Sequence, residues 1–514
     1  EIYTLSLHDA LPISSLQRLG VVAKRAAPPT LEIIDKRIAV SPNPIKVNYF
    51  TIPDTREGWS WGFFQMMQCA FAGESCQIDV SLIRPKGAPI KTFGGVASGP
   101  QPYVDLLKAA WEIVRNAAGR HLTTLDALDI VTHIGKCVKS GNVRRSAIMV
   151  LFGADDEAVR AKADIEKLYT HRHTSNNTIN LCSEEQIETF DWKGFVDLNV
   201  SYGDPGLNNL VLGRRQDPLI EGLNPCGELQ LRNKESCNLV EFFPARFNYK
   251  IQPKRIFQLL TRYGLRQRLL KFRDQETETI KKQTMRLGMS LGGICDFAWT
   301  RDDLKTFYHY VRQEADEYAT TLGVRLPIAV TTVKPSGTVS LLCDSNAGIH
   351  AAIAPYYWRR IRLDKAEPMA EELQKANIHC EPDVYDKTGN TLCFAFPSKT
   401  KNTDGLTEQN QTLRQQFQRQ LNVQESWADN AISCTLKFKP EQRGEMAALL
   451  KKYMPRLKSV SMLADSCGTY EQLPLEPISK ETYEKEVAKI NNSAHLTPGE
   501  ADIQECEKGV CPVR

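Results

Sequence analysis

Apolar and polar positions alternate along the chain between two periods. Leu107, Trp111 and Val114 recur at i, i+4 and i+7 and the stripe ends near Gly119, which predicts a packed helix. Ile432, Cys434, Leu436 and Phe438 recur every second residue with Ser433, Thr435 and Lys437 between them, which predicts a strand. Met446, Leu449, Leu450 and Tyr453 then return to helical spacing. Strand followed by helix, repeated after Asp54, points to an α/β fold. The apolar run Leu326 to Val333 also reads as strand-like, and it opens into Pro335-Ser336-Gly337-Thr338. Ser398 to Gln411 lacks apolar periodicity and is expected as a surface loop, and residues 491–514 are expected as a mobile tail. Ser15 to Asn48 carries no clear pattern, with Pro28 and Pro29 breaking any helix, and residues 1–14, EIYTLSLHDALPIS, resemble a translated sequencing adapter.

Composition narrows the class. The 514 residues are 42% hydrophobic, and 65 Lys and Arg against 61 Asp and Glu leave a net charge of only +4. That excludes neither an enzyme nor a binding protein, but it disfavours a polyanion-wrapping or membrane-surface protein. No stretch is apolar for long enough to span a bilayer, and a cytoplasmic protein is expected. Fourteen Cys in a chain of this length are too sparse for a disulfide scaffold, so each is either a small core residue or a chemical tool.

The sharpest local feature is EGLNPCGEL, Glu221 to Leu229. Pro225 and Gly227 bracket Cys226 in a tight loop, in which Asn224 and Glu228 can converge with the thiol on one small ligand; on a helix, i and i+2 would face apart. The bland reading is a buried Cys in a turn. Cys237 follows eleven residues later, and Cys506 and Cys511 form CEKGVCPVR at the other end of the chain. This last pair is either half of a zinc site or an exchanging dithiol. No His stands beside it and no second close Cys pair exists, so exchange fits better, and a tail of some twenty residues at about 3.3–3.6 Å each could carry it deep into a site in the body.

NPCGEL with its second Cys, the terminal CEKGVCPVR and KPSGTVSLL at 334–342 together resemble the adenosylcobalamin-dependent, monomeric class of ribonucleotide reductases. Further matching stretches in the same order are DTREGW at 54–59, IRPKGAPIKTFGGVASGP at 83–100, GNVRRSA at 141–147, SNN at 175–177, WADNAISCT at 427–435 and EPISKETYEKE at 476–486. The resemblance implies an α/β barrel of ten strands, in two five-stranded parallel halves set antiparallel, with the Cys226 loop as a finger inside. It also implies a division of the chain into an unassigned remnant at 15–50, a catalytic barrel at 51–475 and a tail at 476–514. The implied activity is reduction of ribonucleoside triphosphates to 2′-deoxyribonucleoside triphosphates, with adenosylcobalamin as cofactor, a thioredoxin-like reductant and a deoxynucleotide effector as partners, and a monomeric enzyme.

Carried over residue by residue, Cys226 is the thiyl, Glu228 the general base for the 3′-hydroxyl and Asn224 the group that hydrogen-bonds the ribose. Cys237 is one member of the cysteine pair that supplies two electrons, and Cys506 and Cys511 are the shuttle that reopens its disulfide. Pro335, Ser336, Gly337 and Thr338 form the phosphate cradle, Ser175 belongs to an active-site stretch, and Gly94, Gly95 and Gly99 form the loop between effector site and substrate base. No metal-ion ligand set is implied.

Two departures matter. The family's first redox cysteine lies upstream of the DTREGW match, where this sequence has no Cys, and Ser15 to Thr51 is too short for the family's effector-binding insertion together with the early barrel strands. Early strands are therefore expected to be missing and turnover by the chain as it stands to be poor. Cys69 and Cys76 read as core residues rather than substitutes. The sequence has no DxHxxG motif for base-off cobalamin binding. Rival readings are a diiron-tyrosyl reductase subunit, for which Tyr356-Tyr357 is the tempting relay, a glycyl-radical reductase, and a nucleotide-binding fragment without catalysis.

Overall fold

In the computed structural model the described residues are 29–35, 48–90, 96–140, 146–247, 253–337, 339–365, 367–384, 386, 389, 391–400, 405–465 and 471–490. Gly94, Gly95, Thr338, Cys506, Cys511, the expected tail at 491–514 and the adapter-like residues 1–14 lie outside them.

Three hydrophobic cores divide the span that the sequence suggested as one barrel unit. The first belongs to a parallel sheet of β1 (Leu31–Ile34), β2 (Asn48–Thr51) and β3 (Cys76–Asp79) in the order β1-β3-β2. Helices α1 (Arg56–Ala72) and α2 (Gln101–Asn116) cover it. β1 and β2 are four residues each, too short for a periodic signal in the stretch that looked patternless. α2 buries Leu107, Trp111 and Val114, as their spacing predicts. Cys69 and Cys76 lie buried in this core.

α3 (Thr124–Lys139) is shared between two cores. Its Ile130 and Cys137 pack into the first, while Leu128 and Val131 pack into the barrel core. A helix hydrophobic on two sides is what a position between two bodies requires. Its start is fixed by a capping box, in which Thr123 and Asp126 satisfy each other's backbone N–H groups.

The barrel core is built on β4 (Ile148–Phe152), β5 (Ser175–Leu181) and β6 (Gly206–Asn209), all parallel. A second parallel set comprises β9 (Leu239–Phe242), β10 (Gly288–Leu291) and β11 (Thr331–Thr332). β11 is shorter than the run from Leu326 suggests, but Val333 continues it by a parallel bridge to Ile432. That bridge leads into β15 (Thr435–Phe438), which pairs in parallel with β16 (Ser459–Ala464). β16 pairs antiparallel with β6. Eight strands thus form one continuous ladder, five parallel strands running one way and three the other. Among the described residues β4 and β9 do not pair, so the ten-stranded closed barrel implied by the sequence is present as an open one.

Between the halves sits the hairpin of β7 (Ile220–Leu223) and β8 (Gln230–Arg232), whose tip is Asn224 to Leu229. A third core lies outside the barrel under the antiparallel sheet of β12 (Tyr356–Asp364), β13 (His379–Pro382), β14 (Thr391–Lys399) and β17 (Leu475–Pro477). β14 claims Ser398 and Lys399, and Thr407 is buried and bridges to Ala352, so the expected Ser398–Gln411 surface loop is corrected at both places. Among the described residues there, the Ser398 and Asn410 side chains bond backbone groups, which a periodicity search does not register.

The hairpin base is tied to the barrel by a buried cation. Arg286 is 1% exposed and bonds Asp217 at 3.0 Å, Glu235 at 3.0 Å and Asn430 at 3.2 Å. Arg286→Met would leave Glu235 buried with only the Arg232 backbone N–H. We expect a loss of about 3–5 kcal/mol in urea unfolding, because removing one partner strands a buried charge. A loss below about 1 kcal/mol would contradict this account of how the hairpin is held.

Candidate functional site

The hairpin tip folds on one side chain. Asn224 Oδ1 accepts from the backbone N–H of Glu228 at 3.0 Å and of Leu229 at 2.9 Å, and its Nδ2 donates to Glu228 Oε1 at 2.9 Å. Gly227 turns the loop at φ 81°, a conformation costly for any residue with a Cβ. This explains the spacing in NPCGEL: the amide at i−2 from the thiol both shapes the loop and orients the carboxylate at i+2.

The barrel then grips the loop from several strands. Asn176 Nδ2 donates to Pro225 O at 3.0 Å, Ser459 Oγ to Gly227 O at 3.2 Å and Thr332 Oγ1 to Glu228 O at 2.8 Å. Deeper in, Gln230 Nε2 donates to Asn208 Oδ1 at 2.8 Å, and Asn208 Nδ2 donates to Asn180 Oδ1 at 2.8 Å. A polar ladder at the centre of an apolar fold persists where its members find partners, and Gln230 Nε2 donates also to Asn209 O at 2.9 Å, although Gln230 Oε1 is buried without one.

Below the tip, Glu241, Ser290 and Thr332 stand at one level on three neighbouring strands. Ser290 Oγ accepts from Lys334 N–H at 2.9 Å, Ser336 Oγ donates to Glu241 Oε2 at 2.5 Å, and Lys334 Nζ lies 3.8 Å from the same oxygen. Glu228 and Glu241 each retain one buried oxygen, Oε2 and Oε1, with no hydrogen-bond partner. Two orphaned carboxylate oxygens in one polar chamber are acceptors waiting for donors such as sugar hydroxyls.

Electrostatics sets the protonation states. Burial, opposed by the Asn224 hydrogen bond and by Lys334, raises the Glu228 carboxyl to about 7. Burial raises Glu241 as well. The Cys226 thiol is pushed up to about 11 by burial and then by Glu228, and Cys237 to about 12 by the same two causes. Both thiols are solvent-accessible even so. Partial desolvation together with exposed surface is the signature of groups lining a concavity. The Asn224 amide lies close enough to Cys237 to oppose its rise.

The structure therefore brings Asn224, Cys226, Glu228, Cys237 and Ser336 around one chamber. Ser175 is not part of it: its hydroxyl is buried against Asn177 Oδ1 at 3.0 Å and Arg172 O at 3.3 Å. Its neighbour Asn176, on the opposite face of the strand, is the one that reaches the finger. Pro335 and Gly337 continue the turn after Lys334, and Arg359 Nη2 donates to Gly337 O at 3.4 Å. Gly99 adopts φ 77° against Lys86, where a Cβ would meet the Lys86 nitrogen at 2.9 Å. It lies outside the chamber. Sequence reasoning missed Glu241, Ser290 and Thr332. Their signal was a polar residue inside an apolar strand run, as in GMSL and VTTV.

Comparison with known proteins decides the family. Over 91% of this chain and 70% of its own length, an adenosylcobalamin-dependent ribonucleoside-triphosphate reductase of Levilactobacillus brevis is 35% identical. The chain belongs to the adenosylcobalamin-dependent ribonucleoside-triphosphate reductases. A reductase of the same name from Lactobacillus acidophilus is 33% identical over 92% of this chain and 71% of its own length. The crystal structure of a B12-dependent (class II) ribonucleotide reductase superposes with a TM-score of 0.79 at 29% identity, covering 97% of this chain and 77% of that one. The family model for the B12-dependent ribonucleotide reductase insertion domain matches residues 31–114. That match spans β1 to β3, α1 and α2, and so runs past the boundary after residue 50 suggested by the sequence. It covers most of the first of the three cores, which α3 completes.

The reductase cofactor suits the residues present. A thiol raised to about 11 stays protonated at neutral pH and keeps the hydrogen atom that homolytic chemistry removes, and Cys226 presents it on an accessible side chain.

Glu228 makes a stability prediction. With the folded carboxyl near 7 and the unfolded one at its ordinary 4.5, the folded protein holds a proton between these pH values that the unfolded chain has released. Stability from this group is thus present at low pH and lost as pH rises to 7, by up to about 3 kcal/mol. Glu228→Gln removes the titration. The melting temperature of the variant relative to wild type should climb between pH 4.5 and 7.5, whereas a pH-independent difference would mean that Glu228 is not desolvated.

Proposed function

We propose that this chain reduces ribonucleoside triphosphates to 2′-deoxyribonucleoside triphosphates by radical chemistry at Cys226. The observation that carries the reading is the convergence of a protonated, accessible thiol with a desolvated carboxyl on a loop held by Asn224. Adenosylcobalamin, when bound, would supply radical chemistry, and Cys226 is the residue whose sulfur gives up its hydrogen atom. The sulfur radical left behind removes the ribose 3′-hydrogen. Shelter for so reactive a species is provided by the barrel walls around the finger.

Glu228, titrating near 7, takes the 3′-hydroxyl proton, since a base works best with its pKa near the operating pH. Its partnerless Oε2 is the oxygen that receives it. Asn224 has both acceptor positions filled by the loop, so its contribution to the ribose is through an N–H, and it holds Glu228 in orientation. Glu241, with its own orphaned oxygen beside Ser336 and Lys334, is a further acceptor for the sugar or its protonation. As the 2′-oxygen leaves as water, Cys237 provides one of the two thiols that close to a disulfide, and no Cys of this sequence stands upstream of Asp54, where the family has the other. Cys506 and Cys511 reopen that disulfide and are reduced in turn by a thioredoxin-like protein.

We assign the segment Pro335, Ser336, Gly337 and Thr338 to the triphosphate, with Ser336 and Gly337 offering backbone N–H groups and Lys334 adding charge. Ser336 Oγ is engaged by Glu241, so its hydroxyl is less available to phosphate than its amide. The unit matched by the insertion-domain model is the place for a deoxynucleotide effector, and Gly94, Gly95 and Gly99 link it to the substrate base. Among the described residues no helix is long and apolar enough to cross a membrane.

The test is deoxynucleotide formation from a ribonucleoside triphosphate with adenosylcobalamin and dithiothreitol. Cys226→Ser should abolish product while leaving the melting temperature within a degree or two of wild type. Glu228→Gln should lower turnover by about a hundredfold or more, the usual worth of a positioned base. Product formation by Cys226→Ser at the wild-type rate would refute the reading.

A further inference from the structure

The proposed chemistry leaves one cation beside the phosphate segment unused. Successive residues of a strand face opposite ways, and this divides the arginines of β12 between its two faces. Arg360 and Arg362, on one face, are paired: Arg360 lies 2.5 Å from Glu476 and 3.7 Å from Glu381, and Arg362 lies 3.1 Å from Asp383. Arg359, on the other face with Tyr357, makes no ion pair among the described residues. Its one hydrogen bond there runs from Nη2 to the Gly337 carbonyl at 3.4 Å, which is long for such a bond, and Nε and Nη1 have no protein partner. Burial lowers the guanidinium from the usual arginine value, opposed only by the Tyr357 phenol. The carboxylates that face Tyr357 are engaged elsewhere, Asp344 with Arg246 at 3.6 Å and Asp296 with Ser345 Oγ at 2.5 Å and the Asn346 N–H at 2.7 Å. A guanidinium keeps its proton at physiological pH, so Arg359 is a half-buried cation without a counter-charge.

The segment that Arg359 touches runs outward from the chamber. Ser336 is 3% exposed and bonds Glu241 inside, whereas Gly337, the next residue, is exposed. Lys334, at the inner end, has part of its charge answered by Glu241 at 3.8 Å. A nucleotide with its ribose over Cys226 and Glu228 and its phosphates along this segment has the α-phosphate nearest the chamber and the last phosphate at the exposed rim. Arg359 stands at that rim. The planar fork of a guanidinium matches two oxygens of one phosphate, and the long bond to Gly337 is all that Arg359 gives up to engage them.

We infer that Arg359 is a specificity-determining residue for the third phosphate: reaching from β12 to Gly337, it binds the γ-phosphate of a ribonucleoside triphosphate, a group that a diphosphate lacks. The inference rests on the substrate phosphates lying along the segment from Pro335, and it adds the side chain that tells a triphosphate from a diphosphate. It also gives the antiparallel sheet outside the barrel a part in substrate choice, since β12 carries the reading group.

The experiment measures how well CTP and CDP shield the accessible Cys226 from iodoacetamide in the full chain without cobalamin, by mass spectrometry of the Cys226 peptide at about pH 9. A hydrogen bond between ionised groups is worth about tenfold in affinity or more, so Arg359→Gln should raise the half-protecting concentration of CTP about tenfold and that of CDP less than about twofold. Arg359→Lys keeps the charge without the fork and should raise the CTP value about threefold. Arg362→Gln, on the same strand but the opposite face, should change neither value. Thermal melts establish that each variant is folded, and should Arg359→Gln fail to fold, Arg359→Lys carries the test. Equal losses for CTP and CDP, or no loss for either, in a folded Arg359 variant would overturn the inference. The reading on which it rests has its own control: Lys334→Gln should weaken protection by both nucleotides, and protection unchanged in that variant would overturn the placement of the phosphates instead.

Discussion

A carboxyl group withdrawn from water with only one of its oxygens bonded is costly, and Glu228 is held in that state by the geometry of a single hairpin tip. The side chain cannot leave, because Asn224 fixes Oε1 and the backbone N–H groups of Glu228 and Leu229, while Thr332 and Ser459, on the strands either side of the Ile432–Phe438 segment, hold the loop carbonyls to the barrel. Everything proposed for the site follows from that restraint. The carboxyl titrates near 7, burial and then its charge push both neighbouring thiols up, and one of its oxygens is left without a partner. Burying an unsatisfied polar atom is tolerated in folded proteins mainly where function repays it.

The polar ladder beneath the finger gives the barrel a second task. Asn180, Asn208 and Gln230 bond in series, and Glu241, Ser290 and Thr332 share one level across three strands. A sheet buried on both faces would ordinarily be apolar throughout. Here the outward faces supply that stability through Met289, Leu291 and Phe242, and the inward face is given over to hydrogen bonding. The α3 helix shows the same economy at the next scale. Packed into two cores at once, it couples the unit that matches the insertion-domain model to the barrel.

Parts of this were legible in the sequence because they are local. The loop at NPCGEL could be read from Pro225 and Gly227, the helix from Leu107, Trp111 and Val114, and the strand from the alternation ending at Phe438. Family resemblance supplied the fold class, the activity and the cofactor, and the relatives bear these out. What could not be read is what depends on distant segments meeting. Glu241 lies thirteen residues after Glu228 and about a hundred before Ser336, so no spacing rule joins them. Asn176 and Ser175 differ only in the face of one strand, and the sequence reading took the face turned away from the finger. The division into three cores was hidden for a related reason: α3 carries apolar residues for two bodies, and its pattern looks like that of an ordinary buried helix.

The central claim is that the sulfur of Cys226 gives up its hydrogen atom, and electron paramagnetic resonance tests it most directly. Protein made with cysteine deuterated at the β carbon, mixed with adenosylcobalamin and a ribonucleoside triphosphate and frozen rapidly, should give a radical signal narrowed relative to unlabelled protein. The same signal should be absent from Cys226→Ser. A signal of equal intensity in that variant, or one indifferent to the deuterium, would place the unpaired electron elsewhere and contradict the account.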